Sequence, residues 1–165
     1  MTDPAIERRE TFRIFMDYGQ FYLFGSHTGD PTLIDRAIDD HLYATDGKNI
    51  VVISPHQNNF DMEIDVSLWK AAPAPDRDDW QIVVDEYIEI DHNSELRVLT
   101  VDGVNTAHFG VAAGHYRVDI SGRDFTAEGW PGSTTPGDRW RVRLWPAQHV
   151  AREHLQPAKR WPDSP

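Results

Sequence analysis

In the segment FDMEIDVSLW, residues 60–69, apolar and polar side chains alternate strictly from Phe60 to Leu68. Four apolar residues occupy alternate positions, and so share one parity: Met62, Ile64, Val66 and Leu68. The positions between them are polar and hold three carboxylates, Asp61, Glu63 and Asp65, followed by Ser67. Because successive side chains of a β-strand point to opposite faces, this period of two predicts a half-buried strand with a carboxylate row on its outer face. Such a strand is typical of an antiparallel sheet with one face on a core and the other in water.

The segment WQIVVDEYIEI, residues 80–90, repeats this pattern less cleanly. The apolar parity is Trp80, Ile82, Val84, Ile88 and Ile90, and Glu86 interrupts it. The polar parity continues with Asp85, Tyr87, Glu89 and Asp91. The two predicted strands are joined by KAAPAPDRDD, residues 70–79, whose prolines and charges are typical of a connector at the end of a sandwich.

Six further segments have strand periodicity or β-branched composition: TFRIFMD, QFYLFGS, NIVVISP, ELRVLTV, HYRVDIS and DRWRVRLW. The first two could form one long bent strand with Gly19 as a bulge. IEIDHNSELRVLTVDG is predicted to be a hairpin that turns between Asp91 and Glu95. About seven or eight strands at this spacing predict a mainly β fold, a two-sheet antiparallel β-sandwich with a jelly-roll-like arrangement.

One short helix is predicted after the first strands. Asp30 and Pro31 are suited to its start, an apolar stripe of period 3.6 follows, and Gly47 is close enough to end it. His41, near that stripe, is expected to be partly buried. A second short helix is possible over residues 146–155, followed by a Pro-rich tail expected to be frayed. The predicted organisation is an N-terminal tail over 1–10, the sandwich domain over 11–146, and a short helix with a flexible tail over 147–165.

Composition limits the classes of function. The 165 residues fit one domain, and the lack of cysteine excludes disulfides, thiolate metal sites and Cys nucleophiles. A formal net charge of -11 argues against a protein that binds nucleic acid or an anionic membrane. No apolar run approaches a membrane span, and the first residues lack the apolar core of a signal peptide, so a cytoplasmic location is expected.

The charge is unevenly distributed. Residues 1–95 hold 20 acidic and 7 basic residues, whereas residues 96–165 hold 7 and 9. Ten carboxylates fall within residues 61–91: Asp61, Glu63, Asp65, Asp76, Asp78, Asp79, Asp85, Glu86, Glu89 and Asp91. The late strands carry outward arginines instead, and cross-strand ion pairs would form wherever the two kinds of strand are neighbours. The acidic block is therefore either a partner-binding surface or a solubilising face whose acids those arginines neutralise.

Catalytic signatures are absent from the sequence. The eight histidines have no metal-ligand spacing, and no nucleophile motif or phosphate-binding glycine loop occurs. Alternate carboxylates on one strand lie too far apart to converge on one cation. Trp130 and Trp145 are the tryptophans best placed for a carbohydrate surface, because Trp69, Trp80 and Trp140 fall at strand or core positions. No cofactor and no catalytic or metal-ligating residue is predicted.

The order of the elements resembles the bacterial competence protein J family and related actinobacterial β proteins. The resemblance spans about residues 11–146 and rests on Tyr18-Gly-Gln20-Phe21, the short helix that follows, the Gly114-x-Tyr116-Arg117 strand and Leu144-Trp145-Pro146. These motifs are structural, so the resemblance implies the fold more strongly than the activity. It implies a small, mainly β protein, and the named member of the family inhibits a DNA-entry nuclease.

The acidic block and the resemblance predict the same kind of function. We expect a non-enzymatic binding protein, an inhibitor or immunity-like factor for a basic protein such as a nuclease or toxin, with no nucleic-acid or membrane partner. A carboxylate-bearing sheet could occupy a basic, phosphate-binding groove, with Tyr87, Trp80 or Trp130 as aromatic anchors. The predicted partner-binding residues are Asp61, Glu63, Asp65, Asp76, Asp78, Asp79, Asp85, Tyr87, Glu89 and Asp91.

Two alternatives remain at this point. One is a carbohydrate- or divalent-metal-binding sandwich, either lectin or hydrolase-like, which predicts a concave pocket with Trp145 or Trp130 beside at least two carboxylates. The other is a structural or assembly component, which predicts a large apolar patch or a symmetric interface. No oligomeric state is predicted.

Overall fold

Two five-stranded β-sheets pack face to face in the computed structural model, which describes residues 3, 5–16, 18–55, 60–101, 106–125 and 138–161. Sheet A contains β1 (Ile6–Met16), β5 (Phe60–Trp69), β6 (Ile82–Ile90), β9 (Gly114–Arg123) and β10 (Arg139–Pro146). Sheet B contains β2 (Gln20–Phe24), β3 (Tyr43–Thr45), β4 (Asn49–Ile53), β7 (Glu95–Leu99) and β8 (Ala107–Gly110). The predicted β-sandwich is confirmed.

The alternating patterns place the core between the sheets. Met62, Ile64 and Val66 are buried in one cluster with apolar residues of both sheets. Trp140 of sheet A meets Phe21 of sheet B edge to face, with ring centroids 5.0 Å apart. An edge-to-face contact of this kind adds about 0.5–1.5 kcal/mol to the area that the two rings bury.

The strand order explains which charged side chains become neighbours. Sheet A has the order β1-β5-β10-β9-β6, and sheet B has the order β3-β4-β2-β7-β8. All pairs are antiparallel except β5 and β10, which run parallel. The two late strands therefore lie between the two acidic strands of sheet A.

The first strand differs from its prediction at both ends. It begins at Ile6, within the segment expected to be a tail, because residues 6–10 continue the antiparallel ladder with β5. It does not run on into β2 through a bulge. Tyr18 and Gly19 both have a positive φ, of 58° and 66°, and this turn sends the chain into the other sheet.

The predicted helix is present as α1 (Leu33–Asp40), and it packs Leu33 and Ala37 on the outer face of sheet B. It ends at His41 rather than at Gly47, because His41 adopts the left-handed conformation with φ of 65°. His41 is exposed, contrary to the prediction, and its Nδ1 lies 2.7 Å from the carbonyl oxygen of Ile38. Among the described residues, no helix is long and apolar enough to cross a membrane.

Strands β6 and β7 do not form the predicted hairpin, because they belong to different sheets. The turn between them lies close to the end of β2, where the amide of Asp91 donates to the carbonyl of Gly25 at 2.9 Å. The amide of Glu89 donates to the carbonyl of Gly47, also at 2.9 Å. These bonds join the edge of sheet A to sheet B at one end of the sandwich.

The C-terminal segment is not an α-helix over residues 146–155. It contains one 3-10 helix, Arg152–His154, and continues along the edge of β6. Lys159 forms an antiparallel bridge with Val83, and Arg160 forms an ion pair with Asp40 at 3.1 Å. Residues 155–161 are therefore held against the sandwich rather than frayed, because they cover the β6 edge, which would otherwise leave backbone groups unpaired.

Candidate partner-binding surface

The acidic residues that were predicted to lie on strands are on the outer face of sheet A. Asp61, Glu63 and Asp65 alternate with core residues on β5, and Asp85 and Glu89 do so on β6. Strands β10 and β9 run between them, with their arginines on the same outer face. This face therefore carries two acidic rows separated by a band of guanidinium groups, rather than one continuous acidic field.

The centre of the face is a buried charge network. Arg143 of β10 donates to both carboxylate oxygens of its register partner Asp119 on β9, and both side chains are about nine-tenths buried. Arg117 donates to Asp85 at 2.6 Å. Asp85 is only 9 % exposed and also accepts a hydrogen bond from the amide of Gln156. Asp85 is therefore committed to internal pairing.

The connector between β5 and β6 folds back over this face. Asp76 accepts a hydrogen bond from Nη1 of Arg141 at 2.6 Å and another from Nη2 of Arg143 at 3.0 Å. Trp80 lies against the same Arg141 and against Arg123, whose guanidinium carbons are 4.2 and 4.4 Å from its ring centroid. These contacts fix both ends of the segment 76–80 on the sheet.

Two of the predicted aromatic anchors are not at the surface. Trp80 is 8 % exposed beneath the arginines, and Tyr87 is 6 % exposed with its hydroxyl donating to the carbonyl of Ala151 at 3.2 Å. The prediction of surface anchors is wrong for both, because the connector and the C-terminal segment cover them. The third, Trp130, lies outside the described residues.

Arg141 lowers the pKa of Asp76 to about 2 from its ordinary value of 3.8, chiefly through its hydrogen bonds to the carboxylate. A carboxyl with a depressed pKa in the folded state stabilises the protein above the pKa of the unfolded chain. That contribution is fully present above about pH 4 and is lost as the pH falls towards 2.

We therefore expect acid to destabilise the wild type more steeply than Asp76→Asn. Urea unfolding at a series of pH values from about 5 to about 2 should show a smaller loss of unfolding free energy in the variant. Arg141→Met should flatten the curve in the same way, since it removes the hydrogen-bond donor. Parallel curves for all three proteins would contradict this assignment.

Several predicted acids remain available to a partner. Asp61, Glu63, Asp78 and Asp79 are exposed, and we call these four the surface carboxylates. The nearest cation to Asp61 is Arg13, at 4.0 Å, and Glu63 has no ion pair with any residue the structure describes. Of the rest, Asp65 pairs with Arg9 at 2.8 Å, Glu89 is half-buried, and Asp91 accepts from the amide of Asn93.

A groove of about 320 Å³ lies beside Glu63, one of the surface carboxylates. Glu63 and Asp65 line one side, and Trp80 lies at the other, directly after Asp78 and Asp79 in the chain. Arg139 and Arg141 also line it, so its walls carry both signs of charge. Such an arrangement can select a partner by charge pattern as well as by net charge.

Sequence reasoning missed the pairing of Asp119 with Arg143 and the position of Glu86. The alternation of HYRVDIS and DRWRVRLW marks Asp119 and Arg143 as outward, but their pairing depends on the register of β9 against β10. Glu86 is 1 % exposed at a core position, where it accepts from the hydroxyl of Tyr43 at 3.1 Å and from Arg152 at 2.8 Å. The sequence signal for this position was that Glu86 takes one of the alternating apolar positions of residues 80–90.

The described part of the chain contains no group of three His, Asp or Glu residues arranged to hold a metal ion. At one end of sheet B, His108 Nδ1 lies 2.9 Å from Glu95 and His27 Nε2 lies 3.7 Å from it.

Neither protein-family models nor curated proteins match the sequence. Two solved structures have a fold similar to that of this chain. ComJ from Bacillus subtilis, inhibitor of the DNA-degrading activity of NucA, matches with a TM-score of 0.61 and 15% identity, over 86% of this chain and 98% of ComJ. The product of crocagin biosynthetic gene J matches with a TM-score of 0.53 and 17% identity, over 86% and 99% of the two chains. The resemblance to the competence protein J family is therefore confirmed in the fold, which this chain shares with ComJ over nearly the whole length of that protein.

Proposed function

We propose that this protein is a non-enzymatic binding protein that inhibits a basic partner such as a nuclease. Its contact surface is the outer face of sheet A around the four surface carboxylates, Asp61, Glu63, Asp78 and Asp79. The observation that carries the proposal is the division of the acidic block: acids such as Asp76 and Asp85 are neutralised within the fold, and the four surface carboxylates are left exposed.

The surface carboxylates have the electrostatic role in this proposal. A basic, phosphate-binding site attracts a surface of opposite sign, which speeds association and excludes partners of the wrong charge. The net charge of -11 supplies a long-range field of the same sign. Asp85 and Asp76 take no direct part, because Arg117 and Arg141 already occupy them.

The carboxylates are also held on rigid elements. Asp61 and Glu63 lie on β5, which is paired on both sides by β1 and β10. Asp78 and Asp79 lie in the 3-10 helix Arg77–Asp79, directly before the clamped Trp80. A surface ordered before binding loses little conformational entropy when the complex forms, and this favours affinity.

The fold shared with ComJ supports an inhibitory role, since ComJ is described as an inhibitor of a DNA-degrading activity. For this chain we propose the same kind of role, with the surface carboxylates as the inhibitory surface. The proposed site therefore keeps four of the ten residues predicted from the sequence. The proposed partner is still a basic protein.

The proposal is tested with a panel of basic, non-sequence-specific DNA endonucleases, measuring both nuclease inhibition and affinity. We expect binding that weakens at least ten-fold between about 50 mM and 300 mM salt, because exposed charges are screened over about 8–10 Å at physiological ionic strength. Glu63→Gln/Asp79→Asn should weaken binding by about ten-fold at low salt and reduce its salt dependence, since each lost interfacial charge removes part of the electrostatic attraction.

The matched control is Asp35→Asn/Asp39→Asn, which removes two exposed carboxylates from α1 on the opposite side of the sandwich. It changes the net charge by the same amount and should leave affinity within about two-fold of the wild type. Equal effects of the two double variants would reject a local surface in favour of net charge alone. Salt-independent binding, or no binding to any basic nuclease, would reject the proposal.

A further inference from the structure

A second concave site lies on the outer face of sheet A, apart from the surface carboxylates. It is a cavity of about 220 Å³ between the sheet and the two segments that fold over it. The sheet contributes Trp145, Asp85, Asp119 and Arg143, the C-terminal segment contributes Gln156, and the Pro-rich connector closes the cavity with Pro73 and Pro75. This is the concave pocket, with Trp145 beside carboxylates, that a carbohydrate-binding sandwich predicts.

Five of the six charged side chains that line this cavity are paired with one another, and the sixth, Arg77, donates to the carbonyl oxygen of Pro157 at 2.6 Å. Arg117 donates to Asp85, Arg143 donates to Asp119, and Asp76 accepts from Arg143 at 3.0 Å. A charged ligand would have to break one of these pairs, or the bond between Arg77 and Pro157, and leave a polar group without its partner, which is costly. A neutral ligand can bind while every pair stays intact, so the electrostatics favour an uncharged occupant.

The polar lining suits hydroxyl groups. A carboxylate has about four acceptor positions and a guanidinium has five donors, so internal pairing does not exhaust either group. Oδ1 of Asp119 accepts from Nε of Arg143 as its one hydrogen bond within the described residues. The side-chain amide of Gln156 adds a donor and an acceptor at the exposed side of the cavity. Because a hydroxyl both donates and accepts, vicinal hydroxyls can bond to neighbouring members of such a set.

The rest of the lining is apolar. Trp145 offers an indole surface, and Val83 with Pro73 and Pro75 offers aliphatic surface. Sugar rings carry hydroxyls at their edge and C–H groups on their faces, so they fit a pocket that combines polar side chains with an aromatic wall. The volume is below the roughly 300–1,000 Å³ of pockets for drug-sized ligands, which limits the occupant to about one ring.

We propose that this cavity binds a single neutral sugar ring, with its hydroxyls bonded to Asp119, Arg143 and Gln156 and its apolar face against Trp145. The site is built from strands and proline-rich backbone, so it is formed before the ligand arrives. This inference is independent of the proposed nuclease inhibition, because the two sites use different residues.

Saturation-transfer NMR with glucose, galactose, mannose and N-acetylglucosamine tests the proposal. We expect transfer to the ring protons of at least one of these sugars, with a millimolar Kd. Ala72→Trp should abolish this signal, because Ala72 lines the cavity, is exposed and can accept a larger side chain without disturbing the core. Ala74→Trp is the matched control, since Ala74 is an exposed alanine of the same connector that does not line the cavity.

Gln156→Ala is a second test of sugar binding. It should have little effect on folding, because the bond to Asp85 comes from the Gln156 backbone amide and is retained. It should weaken sugar binding several-fold without changing the thermal unfolding temperature. Binding of glucuronate or arginine but of no neutral sugar would overturn the proposal. Sugar binding that survives both Ala72→Trp and Gln156→Ala, or the lack of any sugar binding, would also overturn it.

Discussion

Replacing Gly25 with alanine should lower the free energy of unfolding by about 3 kcal/mol or more, the largest effect of any single methyl group that we predict. A Cβ atom at this position would overlap the carbonyl oxygen of Glu89 and lie 2.8 Å from that of Lys48. Both are backbone atoms, one in β6 of sheet A and one beside β4 of sheet B. Neither can rotate away, so the two sheets would have to separate at their junction.

That separation would also strain two hydrogen bonds of Gly25, one within sheet B and one that joins sheet B to the residue after β6. The amide of Gly25 donates to Lys48, and the amide of Asp91 donates to Gly25, both at 2.9 Å. Urea unfolding followed by tryptophan fluorescence measures the loss. Gly47→Ala is the matched control: Gly47 has φ of +90° but nothing within 4 Å of the added carbon, so only the conformational cost of about 1–2 kcal/mol applies. Equal losses in the two variants would contradict a steric origin.

Arg143→Met should cost about 3–5 kcal/mol, because it removes one partner of a buried ion pair and leaves Asp119 with its charge uncompensated. Arg143 is 8 % exposed and Asp119 12 % exposed in their side chains, and Arg143 also donates to Asp76 at 3.0 Å. The unbranched methionine side chain retains much of the packing, so the measured loss reports the charge rather than a cavity. Chemical unfolding at neutral pH is the measurement.

Arg139→Met is the control on the same strand and the same face. Its side chain is 63 % exposed and lies 3.7 Å from Asp124, so its removal should change stability by less than about 0.5 kcal/mol. Adding Asp119→Asn to Arg143→Met should recover a large part of the loss, because the buried charge then disappears. If the double variant is no more stable than Arg143→Met, the uncompensated charge of Asp119 is not the cause.

The local patterns predicted much of sheet A. The parity of residues 62–68 and 140–144 identified which side chains enter the core, because one face of a strand is buried whatever its neighbours are. The same parity placed Asp61, Glu63 and Asp85 on the outer face. It could not tell which of these acids would be neutralised, since that depends on register with Arg117, Arg141 and Arg143 on strands far away in the chain.

Connections were predicted less well than strands. The turn at Asp91–Ser94 has the length of a hairpin turn, yet β6 and β7 enter different sheets, and Tyr18–Gly19 separates β1 from β2 in the same way. Sheet membership is a global property, because a strand joins the edge that the rest of the chain leaves open. The C-terminal segment shows this as well: its pairing of Lys159 with Val83 needs the exposed edge of β6.

The amino-acid sequence by itself determined that this chain forms amphipathic strands, which residues they bury, and that most of the acids lie in its first 95 residues. Those properties follow from local periodicity and composition. Tertiary structure alone decided that Asp76, Asp85 and Asp119 form ion pairs with arginines while Glu63 and Asp79 stay exposed. It also decided that the connector covers a cavity beside Trp145. Electrostatic pairing and cavity shape depend on distances between residues remote in sequence, and only the folded chain sets those distances.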